Sequence, residues 1–325
     1  MLVLRRGDVE ASLDIDRLIA ALRDTFRDVS AGKTSSPPRT AALVPDRAGY
    51  LGVMPAFVPS LGVLETKLVS LFPQNRDRPT HQAVIVVFDP TNGTPTALLD
   101  AEYITAVRTA AGSAVATDLL ARREASVLAI VGTGVQAASH ARVVTRVRSF
   151  DRILLAGRDA DKALALRDRL SSELSVSVEV ADAESATRDA DVVCATTHSP
   201  DPVVPRSWLR PGTHVNSVGV HPTGGELDRD TIRDGVVVVE SRAAALAPPP
   251  AGANELLGPL DEGVMQEADI AELGEVLAGA RPGRASEDDL TVYKSVGIGP
   301  EDAAAAAIVL EAAGKQGLGV DVSLA

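Results

Sequence analysis

The sequence predicts an α/β protein in two parts, an α+β region followed by a doubly wound parallel sheet. The chain has 325 residues, of which 45% are apolar, enough for two medium domains with proper cores. From about residue 127 onward, short apolar runs alternate with helical patterns, as in a parallel sheet with helical crossovers. In the first 115 residues, strand-like pieces are separated by turn signals, which is typical of an antiparallel sheet.

Six strands are expected in the second part, the number found in a doubly wound fold. They are VLAIV (127–131), RILLAG (152–157), VSVEVA (176–181), DVVCAT (191–196), HVNSVG (214–219) and GVVVVE (235–240). Helical patterns follow the first two of them. A proline-rich stretch, residues 247–255, reads as a surface loop.

The first part begins with a predicted helix over residues 14–29. Three strand-like pieces follow: YLGVMPAF, ETKLVSLF and AVIVVFD. A long helix over residues 104–122 joins the two parts, and the alanine-rich tail predicts a helix that glycines terminate.

Composition excludes several classes of partner. The net charge is −12 and no basic run occurs, which argues against nucleic acid. No apolar stretch reaches 18 residues, and charges interrupt the N-terminal segment early, so we expect a cytoplasmic protein without a membrane span. The single cysteine, Cys194, reads as a core thiol, and the five histidines lack metal-ligand spacing. Small molecules are therefore the expected partners, and no metal is expected.

A glycine-rich turn follows the first parallel strand. Gly132, Gly134 and Ala137 have the spacing G-x-G-x-x-A between a strand and a helix. In that context the first glycine permits the tight turn, the second lets a pyrophosphate approach the backbone, and the alanine allows close helix packing. The turn therefore predicts a dinucleotide site, although a chance glycine turn has the same letters.

The end of the second strand bears on the choice of cofactor. An acidic residue that would bind the ribose of NAD is missing, and Gly157 and Arg158 stand in its place. An arginine here pairs well with a 2′-phosphate, so NADP is the preferred cofactor and NAD remains possible. In the alternative, Arg158 is solvated and Asp159 binds the ribose.

Three cations stand out in the first part because an acidic protein rarely places them in apolar surroundings without a use. They are Arg39, Lys67 in an expected strand, and Arg108 in an almost wholly apolar helix. A bound carboxylate would relieve the cost of burying Arg108. Structural ion pairs, or an exposed loop for Arg39, are the alternatives.

Several stretches together resemble the ornithine cyclodeaminase and mu-crystallin family, which includes archaeal-type alanine dehydrogenases and ketimine reductases. They are GVMPAF, TKLVSLFPQN, DAEYITAVRTAAGSAVATDLLAR, VGTGVQA, PGTHVNSVG and TVYKSVGIGPEDAAAA, spread over residues 39–313. The resemblance implies a homodimer. It also implies that both chain ends form the substrate and dimerisation domain, residues 1–115 and 300–325, around a Rossmann domain, residues 116–299.

The same resemblance assigns binding roles. It implies that Arg39, Lys67 and Arg108 hold the substrate carboxylate, and that NSVG (216–219) and KSVG (294–297) face the nicotinamide. With the glycine turn, this predicts a set of nucleotide-binding residues. They are Thr109, Gly132, Thr133, Gly134, Val135, Gln136, Gly157, Arg158, Ser217, Val218, Gly219 and Ser295.

One departure from the family concerns proton transfer. Many members have an aspartate two positions after N-S-V-G, where it accepts a proton near the substrate amine. Here His221 occupies that place, and Asp228 lies further on, at the expected start of a helix. Histidine titrates near neutrality and can exchange this proton, or it can be a spectator.

We therefore expect hydride transfer between NAD(P)H and the C=N carbon of a small imino acid, with Lys67 or His221 supplying the proton and the reverse reaction oxidising an amino acid. The reacting carbons would lie about 3–3.5 Å apart. A cyclodeaminase is the alternative: it oxidises an ornithine-like diamine, releases ammonia on ring closure and recycles its NAD. A non-catalytic nucleotide-binding protein is the third hypothesis, and the presence of Lys67 and Arg108 argues against it.

Overall fold

The computed structural model describes residues 1–323, and the chain in it forms two compact units. The end unit comprises Met1–Arg108 and the described residues from Gly297 onward, and the middle unit comprises Thr109–Val296. The last two residues of the predicted segment 300–325 lie outside the described residues. The functional assignment of the units stays a prediction.

The helices and strands of residues 1–323 are named here in chain order. From the N-terminus they are β1 (Leu2–Leu4), α1 (Arg6–Ser12), α2 (Ile15–Ser30), β2 (Thr40–Val44), β3 (Gly49–Val58), β4 (Val63–Leu71), β5 (His81–Phe88), β6 (Pro95–Asp100), α3 (Glu102–Leu120), β7 (Val127–Val131), α4 (Val135–Val144), β8 (Arg152–Ala156), α5 (Ala160–Glu173), β9 (Ser177–Val180), α6 (Ala183–Asp189) and β10 (Val192–Ala195). They continue with β11 (His214–Ser217), α7 (Arg229–Asp234), β12 (Val236–Val239), α8 (Arg242–Ala245), α9 (Asn254–Asp261), β13 (Ala271–Glu272), α10 (Leu273–Leu277), β14 (Thr291–Lys294), α11 (Gly299–Gln316) and β15 (Val320–Asp321).

The end unit contains a mixed sheet in the order β15-β1-β6-β5-β4-β3-β2. Strands β2 to β6 are antiparallel neighbours, as the turn signals predict, and β1 adds in parallel to β6. Helix α11 packs against β3, β4, α1 and α2. The predicted first helix is α2, which begins after Asp14, whose side chain accepts a hydrogen bond from Arg17 N.

Strand β4 alternates strictly between buried and half-buried residues over most of its length. Because successive side chains of a strand point to opposite faces, Val63, Glu65, Lys67 and Val69 share the buried face. Glu65 and Lys67, which are two positions apart in β4, therefore both lie in the interior of the end unit.

The middle unit, all of which is described, contains a parallel sheet in the order β13-β12-β14-β11-β10-β7-β8-β9. The six predicted strands are present, and the doubly wound fold is confirmed. The sequence missed β13, which has two residues, and β14, whose sequence TVYK carries the buried Lys294. Strand β14 lies between β11 and β12, so the last strand of this unit enters the sheet interior.

Two apolar clusters cover the two faces of the parallel sheet. Along β7, Leu128 and Ile130 belong to one cluster and Ala129 and Val131 to the other, as the pleat requires. The surface loop predicted for residues 247–255 is only partly correct. Residues 251–253 are buried and α9 begins at Asn254. The first turn of α9 places the carboxylate of Glu255 in the interior of the middle unit, where it pairs with Lys294.

Candidate functional site

The predicted cations Lys67 and Arg108 are both buried in the end unit. Their side chains are 1% and 5% exposed, and they come from β4 and α3 respectively. A buried charge without a partner is very costly, so the identity of the partners decides what this cluster can do.

The first turn of α11 supplies the partners. Asp302 Oδ2 lies 2.7 Å from Lys67 Nζ, and Asp302 Oδ1 accepts a hydrogen bond from Arg108 Nε at 3.2 Å. Glu301 Oε2 accepts from Arg108 Nη1 at 3.1 Å and from Ile298 N at 2.8 Å. Both carboxylates are fully buried. Their position at a helix N-terminus adds a favourable interaction with the helix dipole.

This arrangement corrects the argument made for Arg108 from the sequence. We expected a bound carboxylate to offset the burial of that cation, but Asp302 and Glu301 already do so. Neither acid was predicted from the sequence to have a role. The available signal was the pair Glu301-Asp302 directly before an uninterrupted alanine run, where a solvent-facing helix would carry further polar residues.

Lys67 can exchange a proton near neutral pH. Burial, followed by the charge of Arg108, lowers its pKa from 10.5 to about 8, although Asp302 opposes the shift. The charge of Arg39 lowers the same pKa further. A lysine tuned in this way can both hold an anion and donate a proton.

Arg39 and His81 complete the cluster in the end unit. Arg39 lies just before β2 and is half-buried; a Cβ atom placed on Gly52 would lie 3.3 Å from its Cδ. Burial, with the charges of Lys67, Arg108 and Arg39, lowers the pKa of His81 to about 4, so this ring is neutral at pH 7. The structure thus brings the three predicted cations together. It adds His81, which the sequence analysis missed because it reads as the ordinary first residue of a strand.

Gly297 lies against this cluster. Its φ is +76°, and a Cβ atom there would lie 2.7 Å from both terminal nitrogens of Arg108. Only glycine fits, because a side chain would displace the guanidinium group.

In the middle unit, the glycine turn has the predicted geometry. Gly132 has φ +132°, and a Cβ atom there would lie 2.4 Å from Thr196 Oγ1. Gly134 is the N-cap of α4, and a Cβ atom there would meet nothing within 4 Å. Ala137 is fully buried. The space before the first turn of α4, next to Thr133, Val135 and Gln136, is therefore open to a phosphate group.

Gly157 and Arg158 follow β8 and are exposed. A Cβ atom on Gly157 would lie 2.5 Å from Thr133 Cγ2, so this end of β8 touches the glycine turn. Asp159, the alternative ribose ligand, is the N-cap of α5: its carboxylate accepts from Lys162 N at 3.1 Å and pairs with Lys162 Nζ at 3.3 Å.

Ser217 and Ser295, two predicted nucleotide contacts, have side chains that are engaged inside the unit. Ser217 Oγ lies 2.9 Å from Glu226 Oε2, and Ser295 Oγ donates to Glu240 Oε1 at 2.8 Å. Thr109 is also buried, Gly219 N donates to Glu226 Oε2 at 2.7 Å, and Val218 N donates to Ala195 O at 3.1 Å. The side chains of Ser217 and Ser295 and the amides of Val218 and Gly219 are therefore already engaged within the middle unit.

A buried charged network holds the NSVG segment, and the sequence analysis missed it. Lys294 Nζ, fully buried, donates to Gly219 O at 2.5 Å and to Ser217 Oγ at 3.1 Å, and it pairs with Glu255 at 3.2 Å. Burial raises the pKa of Glu255, and Lys294 opposes that shift. The network fixes the backbone of the segment without exposing its charges.

His221 lies after this segment and is half-exposed. Its Nδ1 accepts a hydrogen bond from Thr223 N at 3.2 Å, and its ring centre lies 4.9 Å from that of His198. Burial, followed by the charge of His221, lowers the pKa of His198.

Two further residues lie as the sequence predicts. Asp228 begins α7 as its N-cap. Cys194 is a buried core thiol, and burial raises its pKa to about 12.

Among residues 1–323, no group of three or more histidine, cysteine, aspartate or glutamate side chains is arranged to hold a metal ion. Among the helices of these residues, none combines the length and the apolar character that a membrane crossing requires.

The fold and these side chains define a class of protein: an α/β chain with one doubly wound parallel sheet of the dinucleotide-binding type and, in a separate unit, a buried cation cluster. The chain belongs to the ornithine cyclodeaminase/mu-crystallin family, whose profile matches residues 1–317. The resemblance inferred from the sequence is therefore confirmed, and the characterised members of this family are enzymes.

Three relatives illustrate the similarity. Ketimine reductase mu-crystallin of Mus musculus is 38% identical over 305 residues, 93% of this chain and 92% of the mouse protein. Thermococcus litoralis Δ1-pyrroline-2-carboxylate reductase, solved with NADH and L-proline, has a TM-score of 0.95 at 34% identity, covering 99% of this chain and 100% of that one. An archaeal alanine dehydrogenase dimer with bound NAD has a TM-score of 0.92 at 30% identity, covering 100% and 99%.

Proposed function

We propose that this protein is an NAD(P)-dependent reductase of a small imino acid, a ketimine or cyclic imine, and that it oxidises the corresponding amino acid in reverse. The observation that carries the proposal is the buried cluster around Lys67 and Arg108, with Lys67 titrating at about 8. The relatives named above act on substrates of this class and support it.

The charge of the cluster suits one carboxylate. Arg39, Lys67 and Arg108 are three cations, and Asp302 and Glu301 are two buried anions. Because His81 is neutral at pH 7, one positive charge remains in excess. A single substrate carboxylate neutralises it, and Arg39, the most exposed of the three cations, is the one best placed to admit the anion.

Lys67 is the proposed proton donor to the substrate nitrogen. Reduction of a C=N bond requires one hydride and one proton, and with a pKa of about 8 the amine is about nine-tenths protonated at pH 7. Its ion pair with Asp302 holds the ammonium group within the cluster. His221 is the second candidate donor, because its ring is half-exposed and lies just after the NSVG segment.

The middle unit fits a nicotinamide dinucleotide, which when bound supplies or accepts the hydride. The open space before α4 at Gly134 accommodates a pyrophosphate next to Thr133, Val135 and Gln136. We propose NADP as the preferred form, since Arg158 is exposed at the end of β8 while Asp159 is engaged as a helix cap. NAD, present in relatives, is the alternative.

A substrate panel tests the function. Cyclic imino acids, keto acids with amines, and diamines are each offered with NADH and with NADPH, and both nicotinamide absorbance and ammonia are followed. We expect a cyclic imino acid to consume one reduced nicotinamide for each amine formed. Ammonia release from a diamine without a net absorbance change would identify a cyclodeaminase, and no reaction anywhere in the panel would contradict catalysis.

A pair of variants separates the two proton donors. Lys67→Gln should lose imine reduction, whereas His221→Gln should retain it. The opposite result would transfer the role to His221. Each variant should still bind the reduced dinucleotide, as followed by its fluorescence, which controls for misfolding.

The proposal also includes a homodimer in the cytoplasm, with the carboxylate bound by the end unit and the nucleotide by the middle unit. Mass determination in solution tests the dimer.

A further inference from the structure

Glu65 is a buried carboxyl group that the proposed mechanism does not use. It lies two residues before Lys67 in β4, on the same buried face, and is 1% exposed. Neither of its side-chain oxygens has a hydrogen-bond donor among the described residues. A buried acceptor left unpaired in this way is destabilising, and more so if it is charged.

The surroundings of Glu65 disfavour a negative charge on balance. Its register partners on the neighbouring strands are Ala56 of β3 and Val87 of β5, both apolar. Among the charged groups that act on it, Asp302 of α11 raises its pKa, whereas Lys67 of β4 and Arg108 of α3 oppose the shift.

The nearby cations are already committed to other anions. Lys67 pairs with Asp302, and Arg108 pairs with Asp302 and Glu301. Burial, reinforced by the charge of Asp302, therefore raises the pKa of Glu65 well above its usual value.

The charge of Glu65 decides the net charge of the cluster. With Glu65 neutral, the three cations and two anions of the cluster leave one positive charge in excess. With Glu65 ionised, the excess is zero, and an incoming carboxylate would leave an uncompensated buried anion.

We propose that Glu65 is a neutral carboxylic acid in the working enzyme and acts as a positioning residue, preserving the single excess positive charge that binds the substrate carboxylate. This inference rests on the proposed function only in taking the ligand to be a carboxylate.

Two consequences follow for the dependence on pH. Deprotonation of Glu65 at alkaline pH should weaken substrate binding, in addition to the loss caused by deprotonation of Lys67. Glu65 should also make the folded state less stable as pH rises. Its pKa is higher in the folded than in the unfolded state, so at pH values between the two the folded state keeps a proton that the unfolded state has lost.

The first test compares wild type with Glu65→Gln, a neutral side chain of the same size, and with Glu179→Gln, an exposed strand glutamate, as control. At pH 6–7 we expect the KM of Glu65→Gln for the imino acid to lie within twofold of wild type. A KM at least tenfold lower in Glu65→Gln than in wild type at pH 7 would show that Glu65 is ionised and would overturn the proposal.

The second test does not depend on turnover. Difference infrared spectra of the wild-type protein at pH 7 should contain the C=O stretch of a protonated carboxylic acid, which Glu65→Gln should lack and Glu179→Gln should retain. If Glu65→Gln does not fold, carbon NMR of Glu255→Gln protein labelled in its glutamate carboxyl groups gives the answer, because Glu255, the other deeply buried glutamate with a raised pKa, is then absent and the signal of a protonated glutamate at neutral pH belongs to Glu65. Absence of that signal would overturn the proposal. A protonated Glu65 in a protein that reduces no imino acid would instead contradict the proposed function alone.

Discussion

Lys67 Nζ and Asp302 Oδ2 lie 2.7 Å apart although they come from opposite ends of the chain, and both side chains are buried. Strand β4 and the first turn of α11 are held together by this pair, and Asp302 also accepts a hydrogen bond from Arg108. The ion pair therefore supports the fold of the end unit, and it raises the pKa of the proposed proton donor against the effects of burial and of Arg108.

Asp302→Asn should lower stability and shift activity to lower pH. Removing one member of a buried ion pair leaves an uncompensated charge, which costs about 3–5 kcal/mol. Asp302 raises the pKa of Lys67, so its loss should move that pKa below 8 and reduce imine reduction at pH 7, with partial recovery at lower pH. Urea unfolding and the pH–rate profile measure the two effects.

Glu311→Gln, on the same helix, is the control for Asp302→Asn. Glu311 pairs with Arg17 and Lys315 at the surface, where solvent screens the interaction. It should change neither unfolding nor the profile appreciably. If the two variants had the same unfolding curve and the same pH–rate profile, Asp302 would have no role in the site.

The wild-type reaction should follow the titration of Lys67. Imine reduction uses the protonated amine, so kcat/KM in that direction should fall as pH rises through about 8; amino acid oxidation, which uses the neutral amine, should rise over the same range. Initial rates in both directions between pH 6 and 10 check this. A reductive rate that stays flat up to pH 10 would exclude Lys67 as the donor.

The sequence predicted the features that depend on local pattern. Lys67 was found because a cation interrupts an apolar strand, and the glycine turn because Gly132 and Gly134 stand between a strand and a helix. These features need no knowledge of distant residues.

The features that were missed depend on long-range contacts. Asp302 reads as an ordinary acid in the first turn of a helix. Lys294 made β14 look too polar for the interior of a sheet, although Glu255 and Ser217 accept its charge there. Burial of an ionisable group is decided by partners far along the chain, which a single sequence does not pair.

Arg108→Ala should abolish turnover while nucleotide binding persists. The substitution removes a proposed carboxylate ligand and leaves Glu301 without the guanidinium group that it pairs with. Some loss of stability is expected for that reason, so Arg108→Lys, which keeps the charge, is the companion variant. It should fold better than Arg108→Ala and bind substrate more weakly than wild type, because it lacks the bidentate geometry. Full activity of Arg108→Ala would place the carboxylate elsewhere.

Arg158→Asp should shift the cofactor preference from NADPH towards NADH. A hydrogen bond from a charged group contributes about 1.5–3 kcal/mol, so the ratio of kcat/KM values for the two cofactors should change by at least tenfold. Arg169→Asp, at an exposed position on α5, is the control and should leave the ratio unchanged. An unchanged ratio in Arg158→Asp would mean that the 2′-phosphate is not recognised at this position.

Gly132→Ala and Gly134→Ala should fail in different ways. At Gly132 the positive φ and the contact with Thr196 leave no room for a methyl group, so the variant should unfold at lower temperature and bind nucleotide poorly. At Gly134 the backbone has φ −88° and the added Cβ meets open space, so the variant should melt close to wild type. Its methyl group would instead occupy the space proposed for the pyrophosphate, and we expect at least tenfold weaker binding of the reduced dinucleotide, measured by fluorescence titration beside thermal melting. Unchanged affinity in Gly134→Ala would show that the phosphates bind away from this turn, whatever the stability of Gly132→Ala.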